Sequence, residues 1–241
     1  MPGKVIACHQ PNFLPWLGFF AKMASADTFV LLDDVQFTQG RNRHNWTTRV
    51  RIGTQRGPLW LSMPVRRSGL GPQCILDLVT DPTDVRWLPK MLASLEAAYG
   101  KTPCFTQTLV PLMAILEKHD GSICRTNLLL IEAIAGMLGL RTRRVVSSAL
   151  EIAGSGVERL INSTRALGGA TYLSGDGADD YQTEDAFRNA GIALRKLGFV
   201  HPRYPQGYGG EFVPGLSIVD ALCHAGADAT ANLLRGAPAR V

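Results

Sequence analysis

Two short apolar runs constrain this chain more than any other feature. Val5 to Cys8 and Thr28 to Leu32 offer almost no side chain to water on either side. A strand apolar on both faces is buried on both faces, as in a parallel sheet covered by helices. Between the runs, His9-Gln10-Pro11 and the stretch Asn12 to Pro15 read as a loop, because two prolines in so short a span exclude a regular element. Trp16 to Ser25 then places Leu17, Phe20, Ala21 and Ala24 at helical spacing. The opening therefore reads strand, loop, helix, strand, with His9 and Asp33 at the carboxyl ends of neighbouring strands. Open α/β sheets bind their ligands at that edge.

The rest of the pattern extends this frame. Trp46 to Ile52 and Leu59 to Val65 flank Gly53 to Pro58 as a hairpin with a longer loop, and Cys74 to Val79 reads as a further strand. Three helices follow, Arg86 to Tyr99, Phe105 to Lys118 and Ile123 to Leu138. Then α/β alternation returns: strand Arg143 to Ser147, helix Val157 to Leu167, strand Thr171 to Leu173, helix Asp185 to Ala190, strand Ile192 to Leu197, and a final helix Ser217 to Ala225. The fold class expected is α/β, a mixed and largely parallel sheet flanked by helices, with a β-hairpin region and a helical segment in the middle. No repeat or low-complexity linker divides residues 1–241, so one domain is expected, with residues 86–139 as a helical annex. With 46% hydrophobic residues and a net charge of +5, the chain is neither disordered nor, lacking a long apolar run, membrane-spanning. Five cysteines without any CxxC pair, and an amino terminus without an export signal, fit reduced thiols in the cytoplasm and argue against a structural zinc site.

Charge is unevenly placed. Arg41, Arg43, Arg49, Arg51, Arg56, Arg66 and Arg67 occur in a stretch, Arg41 to Leu76, without one Asp or Glu. This is either a solvated face or a surface for an anionic partner. Aromatic interleaving is thin and no nucleic-acid motif occurs, so nucleic acid is an unlikely partner. A Walker loop, a GxGxxG after the first strand, GxSxG and HExxH are all absent, and the chemistries they serve lose support.

The groups that could act begin with Cys8, His9, Gln10 and Asn12, a thiol, an imidazole and two carboxamides where a strand opens into a proline-held loop. Cys8 and His9 share a site only if the strand has ended by then, because successive strand residues face opposite ways. Asp33 and Asp34 could orient His9, bind arginines, cap a loop or ligate a divalent ion, as acidic residues do in nucleotide-sugar transferases. Arg41, Arg43, His44 and Asn45 suit recognition of a substrate anion. Ser174 and Asp176 follow a later strand in a glycine-permitted loop, and Tyr204 and Gln206 sit among prolines. For the last two pairs an ordinary turn and a rigid connector serve as well.

His9-Gln10-Pro11-Asn12-Phe13-Leu14-Pro15-Trp16-Leu17-Gly18, Lys22, and Phe29 to Phe37 with Asp33, Asp34 and Gln36 together resemble the opening of the WbqC-like protein family. Trp60-Leu61 with Pro64, Tyr172 to Gly175, Tyr204 with Gln206, and Phe212 to Asp220 resemble its later blocks. The resemblance implies a biosynthetic transferase of surface-polysaccharide or specialised-metabolite pathways, with acyl or aminoacyl transfer the expected reaction. The donor would be a carrier-protein or coenzyme A thioester and the acceptor a small amine or hydroxyl. Cys8 would accept the acyl group or His9 would act directly as general base, with Asp33 or Asp34 orienting the imidazole and Gln10 or Asn12 stabilising an oxyanion. No cofactor and no bound metal are expected. The competing readings are a metal-dependent glycosyl or nucleotidyl transferase using Asp33 and Asp34, and a non-catalytic subunit of a biosynthetic complex.

Overall fold

The computed structural model describes residues 3–37, 45–67, 69–176 and 184–236. The stretch holding Arg41, Arg43 and His44 lies outside the described residues. Chain order is β1 (Val5–His9), α1 (Leu17–Ala24), β2 (Thr28–Leu31), β3 (Arg49–Ile52), β4 (Leu59–Ser62), α2 (Trp87–Tyr99), α3 (Phe105–Glu117), α4 (Ile123–Met137), β5 (Arg143–Val146), α5 (Gly156–Ala166), β6 (Thr171–Ser174), α6 (Glu184–Asn189), β7 (Ala193–Lys196), α7 (Ile218–Ala225) and α8 (Ala227–Gly236). Five strands form one sheet in the order β5-β2-β1-β6-β7, every pairing parallel, and β3 pairs antiparallel with β4 in a separate hairpin. The protein is therefore α/β, as the apolar strands require.

Sheet faces follow the alternation along β1. Ala7 joins the packing of Leu17, Phe19, Phe20 and Met23 from α1, together with α2, α3, α4 and α7. Ile6 and Cys8 face the other way, with Val30 and Tyr172, onto Leu160 and Ile161 of α5 and Phe187 of α6. With helices on both faces and β1 paired to β2 on one side and β6 on the other, chain direction across the sheet reverses at β1. The carboxyl ends of β1 and β6 thus lie at the topological switch point, where doubly wound sheets hold ligands.

Two elements differ from the sequence pattern. Cys74 to Val79 is not a strand: Ile75–Asp77 forms a 3-10 turn, with single bridges Gln36 to Cys74 and Val79 to Ser122 around it. Ile75 and Leu78 are both buried while Leu76 and Val79 are exposed, an i, i+3 spacing that a strand cannot satisfy. Helix α8 is additional. It restarts after Gly226, whose φ of 83° ends α7, and packs on α1 with Ala231 and Leu234 buried. The main core runs without a break from the sheet through the hairpin into α2, α3 and α4. No described helix is long and apolar enough to cross a membrane.

Candidate functional site at the switch point

The loop from Gln10 to Trp16 is held on three sides. Asn127, buried on α4, donates from Nδ2 to Pro11 O (2.8 Å) and Thr47 O (2.7 Å). Phe13 N donates to Trp46 O (2.9 Å), which joins the loop to the lead of the hairpin. Ser217, at the start of α7, donates from Oγ to Leu14 O (2.8 Å), and Ile218 N donates to Pro15 O (2.8 Å). Leu14 takes φ of 39°, a conformation that a residue with a Cβ keeps only when its surroundings impose it. Asn12 is buried within the loop and lines a small cavity with Trp16, Trp46 and Ser217.

His9 is the last residue of β1 and packs edge-on against Phe19, with ring centroids 4.9 Å apart. Its Nδ1 lies 3.0 Å from Gln10 O, a group that only accepts, so Nδ1 carries the hydrogen and Nε2 is left as an acceptor. Burial and the nearby Lys22 ammonium push the imidazole down to about 4, so it is neutral at physiological pH. Lys22 stands in the last turn of α1, only 5% exposed. Helical side chains lean toward the amino terminus, which carries its ammonium back to the carboxyl end of β1. There Nζ donates to Cys8 O (2.9 Å) and lies 5.8 Å from the Tyr172 ring centre. Burial lowers Lys22 to about 8.

Cys8 lies on the opposite face of β1 from His9, because the strand continues through both residues. Its thiol is buried among α5 and α6 side chains, which push it up to about 12. The structure therefore does not bring the thiol and the imidazole together. Asp33 and Asp34 are also committed elsewhere. Asp33 is buried, its Oδ1 accepting from Ser147 Oγ (3.1 Å) and Ser148 N (2.9 Å) and its Oδ2 from Ser148 Oγ (2.6 Å). Asp34 shares the Ser147 hydroxyl with Asp33 and pairs with Arg159 of α5. Together they lock the end of β2 to the turn after β5, and His9 takes its orientation from Gln10 O rather than from either aspartate. Among the described residues no group of three or more His, Cys, Asp or Glu assembles as a metal-ligand set.

Ser174 ends β6, buried, with Oγ donating to Gly175 O (3.0 Å). Asp176, exposed beyond it, accepts from Gly198 N (2.8 Å) and Phe199 N (2.7 Å), fastening the chain after β7 to the same edge. Tyr204 and Gln206 belong to a different cluster. Asp220 of α7, fully buried, accepts from Tyr99 Oη (3.0 Å), Tyr204 Oη (2.8 Å), Gln206 Nε2 (3.1 Å) and Tyr208 Oη. Burial and that carboxylate raise all three phenols. Gln36 is exposed beside Cys74, and Asn45 is half-buried ahead of Trp46. A groove of about 770 Å³ between β4 and α2, lined by Trp60, Trp87, Arg86 and Lys90, shares no residue with this edge.

The sequence reading missed Lys22 as a site group, Asn127, Ser147 and Arg159 as supports of the strand ends around it, and Asp220 as the centre of the separate tyrosine cluster. Asn127 and Asp220 carried a signal, since Asn127 falls on the helical stripe of Ile123, Leu130 and Ile134 and Asp220 stands between Val219 and Ala221. A neutral imidazole, a buried ammonium and a proline-held loop meet at the switch point of a doubly wound sheet, and the fold is that of an α/β protein. The pattern of the WbqC-like protein family matches residues 10–232, and the chain belongs to that family. It is similar to the uncharacterized protein Rv1507c of Mycobacterium tuberculosis (strain ATCC 25618 / H37Rv), 33% identical over 228 residues, which cover 94% of this chain and 96% of that relative. No solved structure matches it.

Proposed function

We propose that the protein is a cytoplasmic transferase that moves an acyl or aminoacyl group from a thioester directly to an amine or hydroxyl acceptor, in a surface-polysaccharide or specialised-metabolite pathway. The observation that carries this reading is His9: a neutral imidazole at the switch point, its Nδ1–H fixed by Gln10 O and its Nε2 left to take a proton. In the reaction the acceptor's proton passes to Nε2 as its nitrogen or oxygen bonds the acyl carbon. The C–S bond then breaks, and the departing thiolate takes that proton back. The direct route is preferred to an acyl-cysteine because Cys8 faces the other side of the sheet with a thiol that stays protonated. Arg56, Arg66 and Arg67, all exposed, supply cationic surface suited to a carrier protein or coenzyme A. The metal-dependent alternative loses its main support, since Asp33 and Asp34 spend their oxygens on Ser147, Ser148 and Arg159.

Release of free thiol from a panel of acyl- and aminoacyl-thioesters tests this. Cys8→Ala is expected to keep turnover within about threefold, and His9→Ala to lose about 10²–10⁴-fold. A hydroxylamine-labile adduct on the wild type that Cys8→Ala abolishes would restore the covalent route, and no turnover with any thioester removes the transferase reading.

A further inference from the structure

Lys22 is a cation in a place that does not repay one. It is nine-tenths buried, and burying an ammonium costs several kcal/mol unless an anion or a full set of acceptors compensates. Among the described residues it makes one hydrogen bond, to Cys8 O, and no ion pair. The Tyr172 ring, 5.8 Å from Nζ, offers a cation–π contact but no counter-charge, and the charged and titratable groups facing Lys22 do not supply one. Cys8 keeps its proton, His9 is neutral, and Arg159 of α5 is already paired with Asp34. Asp176, beyond β6, attracts it at longer range but spends both carboxylate oxygens on the Gly198 and Phe199 amides. An ammonium has three N–H donors, so donors remain beyond the bond to Cys8 O. Next to them the chain carries Gly175, where even a Cβ would stand 3.9 Å from Nζ. The ammonium thus lies between the carboxyl ends of β1 and β6, beside backbone without a side chain, at the switch point itself.

We infer that Lys22 is the receptor for an oxyanion, a carboxylate or phosphate group of the substrate, bound in the crevice between β1 and β6. This rests on the same crevice as the transferase reading but not on its chemistry. It also completes that chemistry. Part of what holds His9 in its weakly basic state is the Lys22 charge, so an anion that neutralises the ammonium strengthens the imidazole as a base. The substrate's own charge then switches on the group that accepts its proton, and a donor or acceptor lacking the anion binds without reacting well.

The test uses the full chain at pH 7 and fixed ionic strength, with chloride replaced in turn by inorganic phosphate, pyrophosphate and acetate, which separates phosphate from carboxylate ligands. At least one should give a saturable rise in melting temperature, of about 5–10 °C at a hundredfold excess over its Kd, absent from Lys22→Met and retained in part by Lys22→Arg. In parallel, the His9 ring resonance is titrated by NMR. Its midpoint should rise by about one pH unit or more when the wild type is saturated with that anion. This wild-type measurement stands even if Lys22→Met fails to fold. An equal thermal rise in Lys22→Met, which would place the anion on exposed arginines, overturns the inference. So does the lack of a saturable rise with all three anions, or an unmoved His9 midpoint. Failure of the transferase reading is distinct: thioesters would go unconsumed while the anion still moved His9.

Discussion

Asp220 and Asp33 show what it takes to bury a carboxylate in this chain. Each is sunk among hydrogen-bond donors, phenols and an amide for Asp220, hydroxyls and a backbone N–H for Asp33. Asp220→Asn replaces acceptors with an amide that cannot take all those protons, and is expected to cost about 2–4 kcal/mol, read as a lower urea midpoint at unchanged slope. Histidine acts in the opposite sense. His9 is depressed from 6.5 to about 4, and His119, His201 and His224 are depressed by burial too. Between pH 6.5 and 4 the unfolded chain therefore binds protons that the native state refuses, so stability falls as pH falls through that window. His9→Asn should flatten the decline by about 1–3 kcal/mol, measured by denaturant titration at pH 6.5 and 4.5. Sequence showed His9 and the acidic pair as polar groups at strand ends. It could not show that the donors for Asp33 and Asp34 come from Ser147, Ser148 and Arg159, more than a hundred residues away, or that Lys22, polar in an apolar helix, is buried.

At the level of elements, the proline loop after β1 matters most, because it is rigid only through what lies outside it. Asn127 clamps Pro11 and Thr47 together, and Ser217 holds Leu14 in its left-handed conformation. Asn127→Ala leaves both carbonyls without that donor, and is expected to cost about 1–3 kcal/mol and to lower kcat more than it raises KM, since the loop follows His9 directly. Trp16 folds over Gly18, where an added Cβ would lie 2.3 Å from the indole, so a larger residue there would displace the ring. Strands and helices with clear periodicity were legible from residue order, β1, β2 and α4 above all. The 3-10 turn at Ile75–Asp77 was not, because a short apolar run fits a strand as well until its burial spacing is seen. Nor was α8 read, although Ala227–Gly236 is amphipathic, because Gly226 marked a helix end with no strong restart signal after it.

For the molecule as a whole, the hairpin and α2 to α4 lie between β2 and β5 in the chain, strands that are neighbours in the sheet. Tyr99, Leu112, Leu116, Ile131 and Ile134 from those helices share one core with Phe19, Phe20 and Phe29. Removing residues 86–139 is expected to leave a chain without a cooperative thermal transition by near-ultraviolet circular dichroism, whereas a separable annex would leave a folded remainder. The parallel sheet was legible because Thr28 to Leu31 could be buried on both faces only in such a sheet; the switch point was not, since β6 lies far along the chain from β1. That separation also has a consequence in time. β1 is synthesised before β6, and one of its edges stays open until β6 follows about 160 residues later, a wait on the order of 8–30 s at ordinary synthesis rates. During that interval an apolar strand offers an unpaired edge to every other nascent chain, so the β1–β6 seam at the switch point can form only once β6 has emerged.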